Sequence, residues 1–138
     1  MKEKIIPWLF GALGSIATGL FGGWTEAMST LCIFMLIDYI TGVSVALTGK
    51  SSKTESGKLS SKAGFIGLMK KAMIMIVMIV AYRLDLLIGT HNVKDTTCIA
   101  FVINEAVSII ENVSKFIDVP EFLTNIIENL KKSKGGKQ

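Results

Sequence analysis

Five ionisable side chains, Asp38, Arg83, Asp85, Glu105 and Glu111, stand in stretches otherwise rich in Leu, Ile, Val, Met and Phe. A charge inside such a block is costly, and the chemistry it serves is an ion path, a proton relay or the wet lining of a pore. Asp38 is the clearest case, the one charge near the middle of the block Ala27 to Leu47. Asn104, Ser108, Glu111 and Lys115 recur at four, three, four spacing, which gathers them on one helical face with Glu105 and Asn112 beside it. One polar stripe on an apolar helix becomes a pore lining when several copies assemble. Asp38 suits pairing with a neighbouring helix equally well, and Arg83 and Asp85, near the end of their block, suit anchoring in headgroup water.

Other chemistries lack their residues. There is one histidine, His91, in a polar turn, and no nucleophile-plus-base spacing, phosphate-cradling glycine loop or metal-ligand cluster. An enzyme, a cofactor and a metal site are therefore not expected. Cys32 and Cys98 lie in apolar blocks without a CxxC partner and read as small buried hydrophobes. The net charge of +4 gathers between Lys50 and Lys71 and at the C-terminus. No basic patch interleaved with aromatics accompanies it, so lipid attraction and topology explain it and nucleic acid is not an expected partner.

The elements that must hold these residues are membrane helices. Of 138 residues, 50% are hydrophobic, and the mean hydropathy is +0.52. The expected fold is all-α: a transmembrane helical domain over 1–117, with spans at roughly 5–21, 27–47, 68–89 and 96–115, then an amphipathic helix and basic tail over 118–138. The first block places Gly11, Ser15 and Gly19, and likewise Gly14, Thr18 and Gly22, four residues apart, a small-residue stripe suited to close helix contact in lipid. Lys2, Lys4, the apolar run to Leu13 and Ser15-Ile16-Ala17 also fit a cleavable signal peptide, but apolar character continues to Phe21 and no secreted soluble domain follows.

In the second block, Asp38 costs about 2.5 to 3.5 kcal/mol on an insertion scale, and each Leu, Ile, Phe or Val returns roughly 0.3 to 0.6, so the helix can still insert. Between Thr48 and Ala63 a Ser, Lys and Gly-rich stretch reads as an exposed loop, and Lys58, Lys62, Lys70 and Lys71 are expected as a cytoplasmic basic loop. The Met and Ile-rich run from Ala72 to Tyr82 reads as a packing or lipid-facing stripe. Two glutamates outweigh the aliphatic residues of Thr96 to Ile117, so this segment enters against an existing bundle, polar face inward, or lies in the interface. Asp118 and Glu121 are spaced as a capping pair with Pro120 in the first turn, ahead of the apolar side Phe122, Leu123, Ile126, Ile127 and Leu130. Lys131, Lys132, Lys134 and Lys137 then suit an anionic bilayer surface.

If all four blocks cross, the N-terminal lysines, the Lys50 to Lys71 segment and the C-terminal lysines share one side. The positive-inside rule makes that side cytoplasmic, with both termini inside. A three-span arrangement breaks this agreement.

At the same residues the sequence resembles the toxin-secretion and phage-lysis holins of Gram-positive bacteria and their phages. The similarity lies in LIDYITGV (Leu36 to Val43), LSSKAGFIGLMKK (Leu59 to Lys71), NEAVSIIENV (Asn104 to Val113) and VPEFL (Val119 to Leu123), in that order. Asp38, Gly42, Ser61, Gly64, Gly67, Lys70, Lys71, Asn104, Glu105, Ser108, Glu111 and Asn112 fall on its motif positions. The resemblance implies a homo-oligomer in the bacterial cytoplasmic membrane that opens non-selective lesions and releases an endolysin or a toxin. Some holins use a second start codon a few residues in to make an inhibitor form; here the next methionine is Met28, beyond the first block, which speaks against that arrangement. The competing readings are a small ion channel or secondary transporter using Asp38 or Glu105, and an accessory membrane protein docking through its amphipathic tail. The candidate pore or bundle-interior residues are thus Asp38, Asn104, Glu105, Ser108, Glu111 and Asn112, and the candidate helix-packing residues are Gly11, Ser15, Gly19 and Gly42.

Overall fold

Three stripes with the same period organise the chain. In the sequence from Met28, residues Leu31, Met35, Asp38, Gly42 and Val45 follow at three or four residues, and all are buried or half-buried. Gly64, Gly67, Lys71, Ile74, Met78, Ala81 and Asp85 form a second such stripe, and Lys94, Cys98, Phe101, Glu105, Ser108 and Asn112 a third. A repeat averaging 3.5 residues keeps one side of a helix turned to its neighbours, so these stripes meet as the seam of a bundle.

The computed structural model describes residues 1–135, without the side chains of Lys2, Lys4, Lys131 and Lys134, so much of the expected basic tail, Lys137 included, lies outside the described residues. It is all-α: α1 (Lys2–Phe21), α2 (Glu26–Leu47), α3 (Ser61–Ile88), α4 (Asn92–Val113) and α5 (Glu121–Gly135). Thr25 and Ser60 cap α2 and α3, their side chains accepting from the amides of Met28 and Ala63. Gly22 and Gly89, both at φ 71°, end α1 and α3 in the left-handed conformation that glycine adopts without strain.

Two boundaries differ from the sequence expectation. Helix α3 starts at Ser61, because Ser60 supplies a cap and the following residues carry the inward stripe from Gly64 onward. Lys62, Lys70 and Lys71 therefore lie on a helix, and of the expected basic loop only Lys58 remains between elements. At the other end, α5 starts after Pro120, whose carbonyl accepts from the amides of Leu123 and Thr124. Pro120 precedes the helix instead of occupying its first turn.

Helices α2 and α4 pack along their length, α3 packs chiefly on α4, and α2 and α3 touch only sparingly. Asn112 of α4 and Lys115 in the turn just after it reach Asp38, Thr41, Lys50 and Ser52, so α2 and α4 run parallel with α3 antiparallel to both. The apolar core, Phe21, Met28, Leu31, Met35, Met78 and Cys98, fills the middle of this bundle. Polar layers lie on both sides of it, Asp85 with Lys94 toward one end and Asp38, Lys71 and Glu105 toward the other. Cys98 is buried and Cys32 half-buried in this core, and both are free thiols.

Helix α1 joins the core only through Ala17 and Phe21, and its Trp8, Phe10 and Leu13 are exposed. Three helices, α2, α3 and α4, are long and apolar enough to cross a membrane, and the apolar part of α1, Ile5–Phe21, is shorter. The accessible surface is 9809 Å², against about 7,000 Å² expected of a compact soluble chain of this mass. Many large apolar side chains are exposed on it, among them Trp8, Phe10, Leu36, Phe65 and Leu87, which a lipid environment would cover.

Candidate functional site

The three stripes bring one ionisable residue each to a common level. Lys71 Nζ on α3 donates to Asp38 Oδ2 on α2 and to Glu105 Oε2 on α4, both at 2.7 Å. Asp38 and Glu105 are 6% and 8% exposed, so this is a buried cluster that crosslinks all three long helices. Asp38 lies about 18 Å along α2 from Glu26 at 1.5 Å per residue, near the helix midpoint. Asn112 Nδ2 completes its surroundings, donating to Asp38 Oδ1 at 3.2 Å and to Thr41 Oγ1 at 3.1 Å.

Two carboxylates facing one ammonium leave an excess negative charge. Lys53, from the segment between α2 and α3, brings a second positive charge nearby. Its ammonium lies 3.7 Å from where a Gly42 side chain would begin. Asn112 Nδ2 lies at the same distance from that point, so both groups border Gly42. On the facing helix, Gly64 and Gly67 accept the Tyr39 ring, its hydroxyl 3.5 Å from the position of a Gly64 Cβ.

Because α2 and α3 touch so little, a cleft of about 930 Å³ opens between them. Asp38, Lys71, Glu105 and Ser108 lie at its inner wall, and Lys53, Lys62 and Lys70 line it nearer the chain segment that links the two helices.

The polar residues of α4 divide into two groups. Glu105, Ser108 and Asn112 face the bundle, and Asn104 and Glu111, about 100° round the helix from Glu105 and Asn112, are exposed. Lys115, half-buried, donates to Lys50 O at 3.3 Å and to Ser52 Oγ at 3.4 Å, fastening α4 to the α2–α3 segment. Of the stripes expected in α1, only the end at Gly22 meets another helix among the described residues, at the Tyr82 ring: a Cβ on Gly11, Gly14 or Gly19 would contact no atom, and Ser15 Oγ donates to Gly11 O of its own helix.

Asp85 has a different place from the headgroup anchor that its position in the block suggested. It is buried, and its carboxylate accepts from Thr90 Oγ1 at 2.6 Å and from the amides of Val93 at 3.0 Å and Lys94 at 2.8 Å. The tight turn at Gly89 folds the start of α4 back onto it, and two orphan amides find their acceptor. Lys94 Nζ in turn donates to Gly23 O at 3.1 Å and lies 5.8 Å from the Tyr82 ring centre. Arg83 and His91 are exposed. Among the described residues no group of three His, Cys, Asp or Glu side chains could hold a metal ion.

Lys71 as the partner of Asp38, and Tyr39, Lys53 and Lys94 as site residues, are absent from a reading by composition. The signal for Lys71 is the run Gly64, Gly67, Lys71, Ile74 and Met78, which continues an inward stripe through a residue type otherwise taken for a loop flank.

No solved structure matches the chain. Among known proteins it is similar to a 14.9 kDa protein from the nagH 3′ region of Clostridium perfringens, 34% identical over 94% of this chain and 95% of the relative. A Listeria monocytogenes protein is 38% identical over 91% of this chain and 86% of its own length. A Clostridium acetobutylicum protein is 31% identical over 89% and 95%. Residues 15–132 match the bacteriophage holin family, a span that includes the whole ion cluster and the cleft, and the chain belongs to that family.

Proposed function

We propose that this holin-family chain assembles into homo-oligomers in the bacterial cytoplasmic membrane and opens non-selective lesions through which an endolysin or a toxin leaves. A holin is not an enzyme, so the work is done by assembly and not by bond chemistry. The observation that carries the reading is the family match over residues 15–132, joined to three helices long and apolar enough to cross a membrane. The exposed Asn104 and Glu111 support it further. Polar side chains exposed on a membrane helix commonly face a water-filled path or a neighbouring helix. The unoccupied stripe of Gly11, Ser15 and Gly19 on α1 offers a second surface for contact between copies.

In this reading α1 is a fourth, short span, with both termini and the α2–α3 segment cytoplasmic. The lysines from Lys50 to Lys71 support that orientation by the positive-inside rule. Inducible expression in bacteria, with and without a cytoplasmic muralytic enzyme, tests the proposal. The expected result is collapse of membrane potential and abrupt lysis when the enzyme is present. Continued viability while the chain accumulates in the membrane would overturn it.

A further inference from the structure

We infer that the cleft between α2 and α3 is a binding site for the phosphodiester headgroup of an anionic phospholipid. It rests on membrane residence of α2 and α3, which the proposed function shares, but not on lesion formation.

The cleft is a built cavity of about 930 Å³, within the range of pockets that enclose small ligands. Near the α2–α3 segment, Lys53, Lys62 and Lys70 line it and make no ion pair among the described residues, facing the single carboxylate of Glu55. Farther in, Lys71 is held by Asp38 and Glu105. Counted over the whole lining, four lysines oppose three carboxylates, which leaves one positive charge. That excess matches a phosphodiester with a single negative charge better than a doubly charged phosphomonoester. The first turn of α3 also borders the cleft at Ser60, Lys62, Ala63 and Gly64, so the positive end of a 28-residue helix adds to the same field.

The apolar part of the lining favours a lipid over a soluble anion. Ile66 and Ile74 stand in the wall on α3, and Ile66 is 44% exposed on a helix that is apolar and little buried within the chain. A headgroup held by the lysines would thus have a path for its acyl chains along α3. Basic pockets between membrane helices are the form that headgroup recognition takes.

The full chain is reconstituted in phosphatidylcholine vesicles, alone, with phosphatidylglycerol, or with free inorganic phosphate. A membrane-permeant amine-acylating reagent is added, and modification of each lysine is followed by mass spectrometry. The site predicts that phosphatidylglycerol slows acylation of Lys53, Lys62 and Lys70 about tenfold more than that of Lys50 and Lys58, the effect of roughly 1.4 kcal/mol. In Lys62→Gln/Lys70→Gln, the protection of Lys53 should fall to the level of Lys50. Equal slowing at every lysine, or none, would overturn the site, because surface potential alone accounts for the first. Protection by inorganic phosphate as strong as that by phosphatidylglycerol would assign the cleft to a soluble anion and overturn the lipid. A chain that lyses cells without lysine protection would refute this inference alone.

Discussion

Lys71 is the residue on which three helices converge, and its removal strands two buried carboxylates. Breaking a buried charge cluster by deleting the shared partner costs about 3 to 5 kcal/mol. Lys71→Met should therefore lower the unfolding midpoint in detergent sharply. Glu105→Gln removes the surplus negative charge and leaves the 2.7 Å pair of Lys71 with Asp38, so it should shift the midpoint less. If Glu105→Gln proved the more damaging, the charge balance described for the cluster would be wrong. The cluster was only partly legible in the sequence. Asp38 and Glu105 declare themselves as charges in apolar blocks, but in the stripe of Asn104, Ser108, Glu111 and Lys115 only Ser108 belongs to the inward row of α4, and Asn104 and Glu111 miss it by one residue each, where Glu105 and Asn112 stand. One residue is a rotation of about 100°, and nothing in a single sequence says which of two adjacent polar rows meets a carboxylate on another helix. Lys70 and Lys71 illustrate the same point, adjacent in sequence yet one exposed and the other sealed against Asp38.

At the scale of elements, caps and turns decide how the helices are joined. Asp85 receives the amides of Val93 and Lys94 across the Gly89 turn. Asp85→Ala should speed hydrogen exchange at those two amides while leaving the middle of α4 protected; unchanged exchange would show that the carboxylate does not hold the α3–α4 turn. At the opposite junction, Gly22 has φ 71°, and a side chain there would run into the Tyr82 ring. Gly22→Ala should cost about 1 to 2 kcal/mol from the left-handed backbone alone, so Tyr82→Leu in the same chain should restore only part of the lost stability. Full restoration would place the whole cost in the ring contact. These junctions explain which parts of the fold could be read in advance. Periodicity and apolar length announce the helices of the bundle, and glycine marks the ends of α1 and α3. The capping role of Asp85 depends on where the reversed chain lands, which is a tertiary fact. The start of α3 was obscured because Lys62, Lys70 and Lys71 look like loop composition, whereas the helix needs only the Ser60 cap and one inward row of small residues to begin at Ser61.

At the scale of the whole molecule, α2, α3 and α4 form a bundle around an ion cluster whose members are hydrogen-bonded to one another, with a loosely attached α1 and much exposed apolar surface. The charged residues at its centre are engaged with each other, so a pore made by several copies would be lined from outside the bundle, by the α4 face that carries Asn104 and Glu111. Glu111→Leu should then delay or shrink the leak without lowering the amount of membrane-inserted chain, and unchanged leak kinetics would remove that face from the lining. The most direct measurement of lesion formation is release of size-graded dextrans from vesicles reconstituted with increasing amounts of the purified chain. Assembly into non-selective lesions predicts release that rises more steeply than linearly with protein density and passes protein-sized dextrans together with small dyes. Release limited to ions, proportional to the amount of protein at every density, would contradict it and identify a selective channel or transporter.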